Sequence, residues 1–207
     1  MNKARFEAFS DGVFAFAITL LVLGFVLPTF KPPGPTDANL FHALLKLWPN
    51  LIAYLLSFAV IGIMWQNHHA FYRLVDRIDR TTVFLNLALL SVTVFIPFAT
   101  SVLGTYPTMK SSTFLYGLTL TLSATFFNLI PLHIVRTGAL SETVDAATIQ
   151  QTIVAYRVGW VTYALATLLS LLWPLVSFAL YILIAAYYLV PRGLDSDLPH
   201  RERVADR

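Results

Sequence analysis

Cysteine is absent from the chain, so no disulfide framework and no thiolate metal site can be built, and the redox compartment is left open. Charge is scarce as well: Asp, Glu, Lys and Arg make up 12% of the residues, about half of what a soluble domain carries. No His-Glu-x-x-His, no Gly-x-Ser-x-Gly and no phosphate-binding glycine loop occurs, and the apolar stretches hold no second acid to accompany Asp11. An enzyme is therefore not expected. What fills the sequence instead is apolar, at 57% hydrophobic residues with a mean hydropathy of +0.69. The chain reads as an all-α, polytopic membrane protein, with the lipid bilayer as its solvent.

Six apolar stretches reach spanning length: 9–27, 51–71, 83–103, 114–135, 158–173 and 175–190. Together they predict one transmembrane unit over 1–191, followed by a short basic cytoplasmic tail at 192–207. The first run is too long for the h-region of a cleaved signal, so the first helix is expected in the mature protein. A proline cluster in 29–36 stops that helix. Between it and the second span, 37–50 has mixed helical spacing and accommodates either short interfacial helices or an extension of the second span. Likewise 146–157 fits a polar start of the fifth span.

With the N-terminus inside, the inner segments hold Lys3, Arg5, Arg73, Arg77, Arg80, Arg136, Arg157, Arg192, Arg201, Arg203 and Arg207. The outer segments hold Lys31, Lys46 and Lys110. This asymmetry predicts both termini in the cytoplasm and a multi-pass protein of the cell membrane. It also accounts for the pI of about 9.3 without nucleic acid, and no nucleic-acid partner is expected.

Asp11 stands inside the first apolar run, where an unpaired carboxylate costs roughly 2.5 kcal/mol or more. At 100° per residue Phe16, Leu20, Leu23 and Leu27 form one stripe, with Thr19 at its edge and Phe9 and Gly12 continuing it. Asp11 lies roughly 140° from the centre of that stripe. Its face should therefore pack on another helix of the same chain, leaving the stripe to meet lipid, a neighbouring subunit or a pore axis. Ala8, Gly12 and Ala15 permit close helix approach. Donors for Asp11 are available at the end of the second span, in Trp65, Asn67, His68 and His69. A metal ion shared by the two histidines is disfavoured, because neighbours on a helix point about 100° apart. A hydrogen-bond network and a pH-sensing pair are the remaining readings of the cluster.

Arg5, then Phe9, Ser10 and Asp11, followed by the apolar run to Leu23, is similar to the RxxxFSD signature of the bacterial relatives of the endolysosomal potassium channel, a family outside the tetrameric P-loop channels. The cluster from Trp65 to His69, the six expected spans and the expected cytoplasmic termini resemble that family too. The resemblance implies a homotetrameric, potassium-selective leak channel whose first helices line the pore, with K+ as permeant ion and no cofactor. It places the family's hydrophobic filter on Phe16, Leu20 and Leu23 and a selectivity residue on Thr19. Arg5, Phe9, Ser10 and Asp11 would hold the pore helix against the second span. One departure stands out, since the first filter residue is usually aliphatic in the family and is Phe16 here. No Thr-Val-Gly-Tyr-Gly filter is present, so selectivity by a carbonyl ring of that kind is excluded.

Two other classes compete. A small secondary transporter could use Thr119, Thr121, Ser123, Thr125 and Asn128 of the fourth span as a polar path, although such hydroxyls more often bond their own backbone one turn back. A proton-conducting protein could use Asp11 and the second-span histidines. Arg73, Arg77 and Arg80 alternate with Asp76 and Asp79 and read as a solvated linker rather than a voltage sensor.

Overall fold

The computed structural model describes residues 2–27, 29–30, 34–142 and 144–189. The basic tail expected at 192–207, Val190 at the end of the sixth stretch, and residues 31–33 of the proline cluster lie outside the described residues. Among the described residues all regular structure is helical, apart from one bridge between Val75 and Leu140. The helices are α1 (Lys3–Leu20), α2 (Asp37–Leu45), α3 (Trp48–Tyr72), α4 (Arg80–Thr93), α5 (Ile96–Thr105), α6 (Lys110–Arg136), α7 (Ala146–Leu169) and α8 (Pro174–Leu189). Five helical stretches are long and apolar enough to cross a membrane, α4 and α5 counting as one, and α8 is a shorter apolar helix.

Several boundaries differ from those expected, each for a local reason. The first helix begins at Lys3 rather than residue 9, because the Asn2 side chain accepts the Ala4 amide and caps it. It also ends early, tightening into a 3-10 turn over Leu21–Gly24. The third stretch is not one straight helix: Pro97 removes a donor and crowds the preceding turn, so the chain breaks between Thr93 and Ile96. The segment 37–50 divides, giving a separate α2 capped by Thr36 and an α3 that starts at Trp48 with Pro49 in its first turn. The fifth helix includes the polar stretch from Ala146 and stops at Leu169, four residues short of expectation, in the turn that leads to Pro174.

Polar ties between helices set the packing, since lipid provides no hydrophobic drive to bring apolar faces together. In the outer half, on the sequence reading of orientation, the Ser57 hydroxyl of α3 sits 2.7 Å from Thr100 Oγ1 of α5 and 2.9 Å from the Tyr116 hydroxyl of α6, all three buried. At the opposite end the α3–α4 and α6–α7 connections are zipped together. The Asp76 amide donates to the Ala139 carbonyl, and the Ser141 amide donates to the Leu74 carbonyl, both at 2.9 Å. Gly138 makes the turn into this clasp at φ +60°, a left-handed conformation that disfavours any side chain. Arg77 reaches the Gly138 carbonyl and Arg80 lies over the Phe84 ring, so these arginines belong to the linker and its rim.

Asp79 caps α4 by accepting the Thr82 amide at 2.7 Å and also takes a 2.8 Å hydrogen bond from His133 Nε2 of α6. The Thr82 hydroxyl, then its amide, then His133 hold the Asp79 carboxyl down at about 2, against an ordinary 3.8. A carboxyl favoured in its ionised form by the native state stabilises fully above about pH 4 and loses that contribution as pH falls through about 2. Asp79→Ala should therefore lower stability by about 1 kcal/mol near pH 7, as for other lost N-caps. Parent and variant should converge in thermal unfolding toward about pH 2; a gap that persists there would assign the loss to something other than the ionised cap.

Candidate functional site

α1 has two unlike faces. Phe6, Ser10, Phe14, Ala17 and Leu21 recur at helical spacing and are buried against the rest of the bundle. Phe9, Gly12, Phe16, Thr19 and Leu23 form the opposite side and are exposed, Phe16 at 61% and Leu23 at 71%, with Leu20 intermediate between the faces. The apolar stripe read from the sequence thus lies on the outer surface of this chain. Thr19 is exposed beside it, its hydroxyl donating to the Phe16 carbonyl at 2.8 Å. With its proton donated to the backbone, the Thr19 oxygen keeps both of its acceptor lone pairs on that surface.

The buried face is anchored by a directional relay. His68 Nε2–H of α3 donates to Asn86 Oδ1 of α4 at 2.8 Å, Asn86 Nδ2 donates to Ser10 Oγ at 2.9 Å, and the Ser10 hydroxyl donates to the Phe6 carbonyl at 3.0 Å. The acceptor-only Oδ1 of Asn86 fixes which nitrogen of His68 carries the proton. All three side chains are buried, and the imidazole is walled by the rings of Phe6, Phe14 and Tyr72. Three helices are joined by one chain of donors and acceptors, each satisfied by the next.

Asp11 has a separate tie. Trp65 Nε1 donates to Asp11 Oδ1 at 2.9 Å, a charge-assisted bond at the more exposed edge of the α1–α3 contact. Of the four donors expected for this carboxylate, Trp65 is the one that bonds it. His68 turns instead to Asn86. His69 is exposed and stacks on the Trp65 ring, with centroids 6.2 Å apart at 27°. Asn67 is half-buried, and its carbonyl accepts from the Tyr156 hydroxyl at 3.5 Å. Arg5 and Phe9 are exposed, so within one chain neither packs α1 onto α3. Among the described residues no three His, Asp or Glu side chains are grouped to hold a metal ion.

Asn86 was not singled out by the sequence reading. The available signal was a lone carboxamide inside the apolar run of α4, between Leu85 and Leu87. Its partners, however, are remote in the chain. The hydroxyls of the fourth span bond one turn back: Thr119, Thr121, Ser123 and Thr125 donate to the carbonyls of Leu115, Gly117, Thr119 and Thr121. Asn128 donates to the Ala124 and Tyr156 carbonyls. The hydroxyl protons of α6 are thus used on the helix's own backbone, as such residues in an apolar helix more often are.

Removing Asn86 orphans the buried His68 donor and leaves Ser10 only its bond to the Phe6 carbonyl of its own helix, whereas removing the Trp65 donor leaves Asp11 with access to water. Asn86→Ala should cost about 2 kcal/mol and Trp65→Phe about 1 kcal/mol or less. Thermal unfolding in detergent measures both, and the opposite order would make the Asp11 tie the principal anchor.

The family model described as endosomal/lysosomal potassium channel TMEM175 matches residues 5–97, which contain the signature, α3 and the Asn86 relay. A potassium channel of Streptomyces collinus is 39% identical over 194 residues, covering 91% of this chain and 92% of the relative. A potassium channel of Chamaesiphon minutus is 36% identical over 191 residues, 90% and 93% of the two chains. The crystal structure of a lysosomal potassium-selective channel TMEM175 homolog from the same organism superposes with a TM-score of 0.80 at 34% identity, covering 91% of this chain and 96% of that one. With helices of spanning length, this likeness over nearly the whole chain makes the protein a multi-pass membrane protein that belongs to the TMEM175 potassium channel family.

Proposed function

We propose that the protein is a potassium-selective, leak-type channel of the cell membrane, assembled as a homotetramer around its first helices. The observation that carries this reading is the outward face of α1, where Phe16 and Leu23 stand exposed on a helix whose opposite side is pinned by hydrogen bonds. Four copies of that face around an axis make a pore lined by rings of Phe16, Leu20 and Leu23. Such rings block hydrated ions by dewetting and pass them when they widen or rotate. Potassium sheds water at lower cost than sodium, so a narrow apolar constriction favours it, and Thr19 supplies an oxygen between the first and second rings.

The 3-10 turn supports the role given to Leu23. In a 3-10 helix residues three apart eclipse, which brings Leu23 toward alignment with Leu20 along the axis. The turn is held from behind, where Gly24 packs closely on Ser101 of α5. Six spans, with α8 as the sixth, and both termini in the cytoplasm complete the topology; the arginine-rich linkers on the N-terminal side favour this orientation. Ala8, Gly12 and Ala15 are exposed on α1 and allow neighbouring pore helices to approach.

In liposomes loaded with potassium, the protein should dissipate a potassium gradient faster than an equal sodium gradient. Leu23→Ser should hydrate the constriction, raise the flux about tenfold and narrow the difference between the two ions, a change equivalent to ~1.4 kcal/mol off the barrier. Unchanged flux in both Leu20→Ser and Leu23→Ser would move the pore away from α1.

A further inference from the structure

α3 and α6 meet at Ser57 and Tyr116 and part toward the N-terminal side of the bundle. The space between them is a narrow, half-open cleft with mostly apolar walls, Val60, Ile63 and Met64 on α3 and Leu120, Ala124 and Phe127 on α6. Its other walls are fixed. Asn128 of α6 donates to the Tyr156 carbonyl of α7 at 3.0 Å, and the Tyr188 hydroxyl of α8 donates to the Ala155 carbonyl at 2.9 Å. A Cβ at Gly159 would come within 2.9 Å of that Tyr188 hydroxyl, so the α7–α8 wall is closely packed there.

The lining is graded along the membrane normal. Asn67 and Tyr188 lie at one end, while Ile63, Leu120, Phe127 and Tyr163 line the remainder. Roughly 27 Å of α6 separates Lys110 from Asn128, close to the hydrocarbon thickness of a bilayer. Asn128 bonds across to Tyr156, beside the polar end, so that end reaches the depth of the lipid headgroups. Trp65, and Trp160 bonded to Thr125, are each 41% exposed at similar depth and form an interfacial aromatic belt. The apolar portion therefore extends from the interface into the hydrocarbon.

We propose that this cleft binds one acyl chain of a bilayer phospholipid from the leaflet on the N-terminal side. An apolar space open at hydrocarbon depth gains nothing from water, which finds too few partners along it, and loses contact energy if left void. Bilayer phospholipid is the apolar solvent at its mouth. The gradation also suits an amphiphile, with the ester region beside Asn67 and Tyr188 and the chain beside Ile63 and Leu120. The same α3 that forms one wall carries Trp65 and His68 on its α1 side, so the occupied cleft backs the helix that anchors α1. Binding here is independent of the conduction reading and is tested without ion flux.

The test uses the full chain in detergent micelles with a phosphatidylglycerol bearing a photoactivatable diazirine on one acyl chain, followed by peptide mapping of adducts. Adducts should concentrate on Met64, Phe127 and Tyr163 and be competed by unlabelled phosphatidylglycerol. Ala124→Trp, which fills the cleft, should reduce them roughly tenfold, whereas Leu183→Trp on the exposed face of α8 should leave them unchanged. Should Ala124→Trp fail to fold, Ile63→Trp fills the cleft from α3, and competition on the parent protein reads occupancy with no variant. Adducts spread over all exposed residues, labelling that unlabelled phospholipid does not compete, labelling unaffected in a folded cleft-filled variant, or labelling by a diazirine fatty acid but not by the phospholipid would each overturn the proposal.

Discussion

The structure depends on one buried carboxamide. Asn86 satisfies a histidine on one side and a serine on the other, and through Ser10 the relay ends on the backbone of α1. In water such a network would supplement a hydrophobic core. In a bilayer apolar faces have no preference for each other over lipid, so the polar ties decide which side of a helix turns inward. Each bond contributes modestly, about 0.6 kcal/mol on average for membrane helices. The larger constraint comes from the alternative, because rotating α1 would take Ser10 away and strand the Asn86 amide donor in a dry interior.

Much of this was legible in the sequence, and the parts that were not have a common cause. The outward stripe could be read because period and residue type lie within one segment, from Phe9 to Leu27. Asp11 announced itself by its cost in an apolar run, and Trp65 could be proposed as its partner because antiparallel neighbours share a depth. The relay could not be read in the same way. Ser10 and Asn86 are 76 positions apart, and His68 offered itself equally to Asp11 until α4 was placed beside it. Backbone effects made up a second class of miss. Pro97 was visible, yet the apolar run around it looked like one uninterrupted span; the polar start of α7, by contrast, was legible as an extension of the fifth span, and the Asp145 cap fixes where it begins.

Helix length explains why the N-terminal side carries so much of the detail. α6 is longer than a bilayer's hydrocarbon needs, so its final turns and the start of α7 extend beyond it. There backbone groups meet water and can pair across connections, which is how Val75 and Leu140 come to bridge. The clasp joins the linker that follows α3 to the one that follows α6, while the cleft separates those same helices at bilayer depth. The two helices are thus tied at both ends and open between.

This division bears on the proposed pore. A helix that lines a permeation path cannot use its outer face for stability, and in the proposed pore Phe16, Leu20 and Leu23 would answer to the ion and to the neighbouring copies. All of its attachment to its own chain has to come from the other side. The small residue Ala17 and the rings of Phe6 and Phe14 provide close packing there, and Ser10 and Asp11 provide direction. The adjacent placement of Ser10 and Asp11 lets one turn of α1 hold both α4 and α3. The anchor near the start of the helix and the packing of the 3-10 turn on α5 hold the stripe from both ends. Phe16 and Leu23, two of the positions proposed to line the pore, are thus exposed, and their side chains can change without disturbing the buried face.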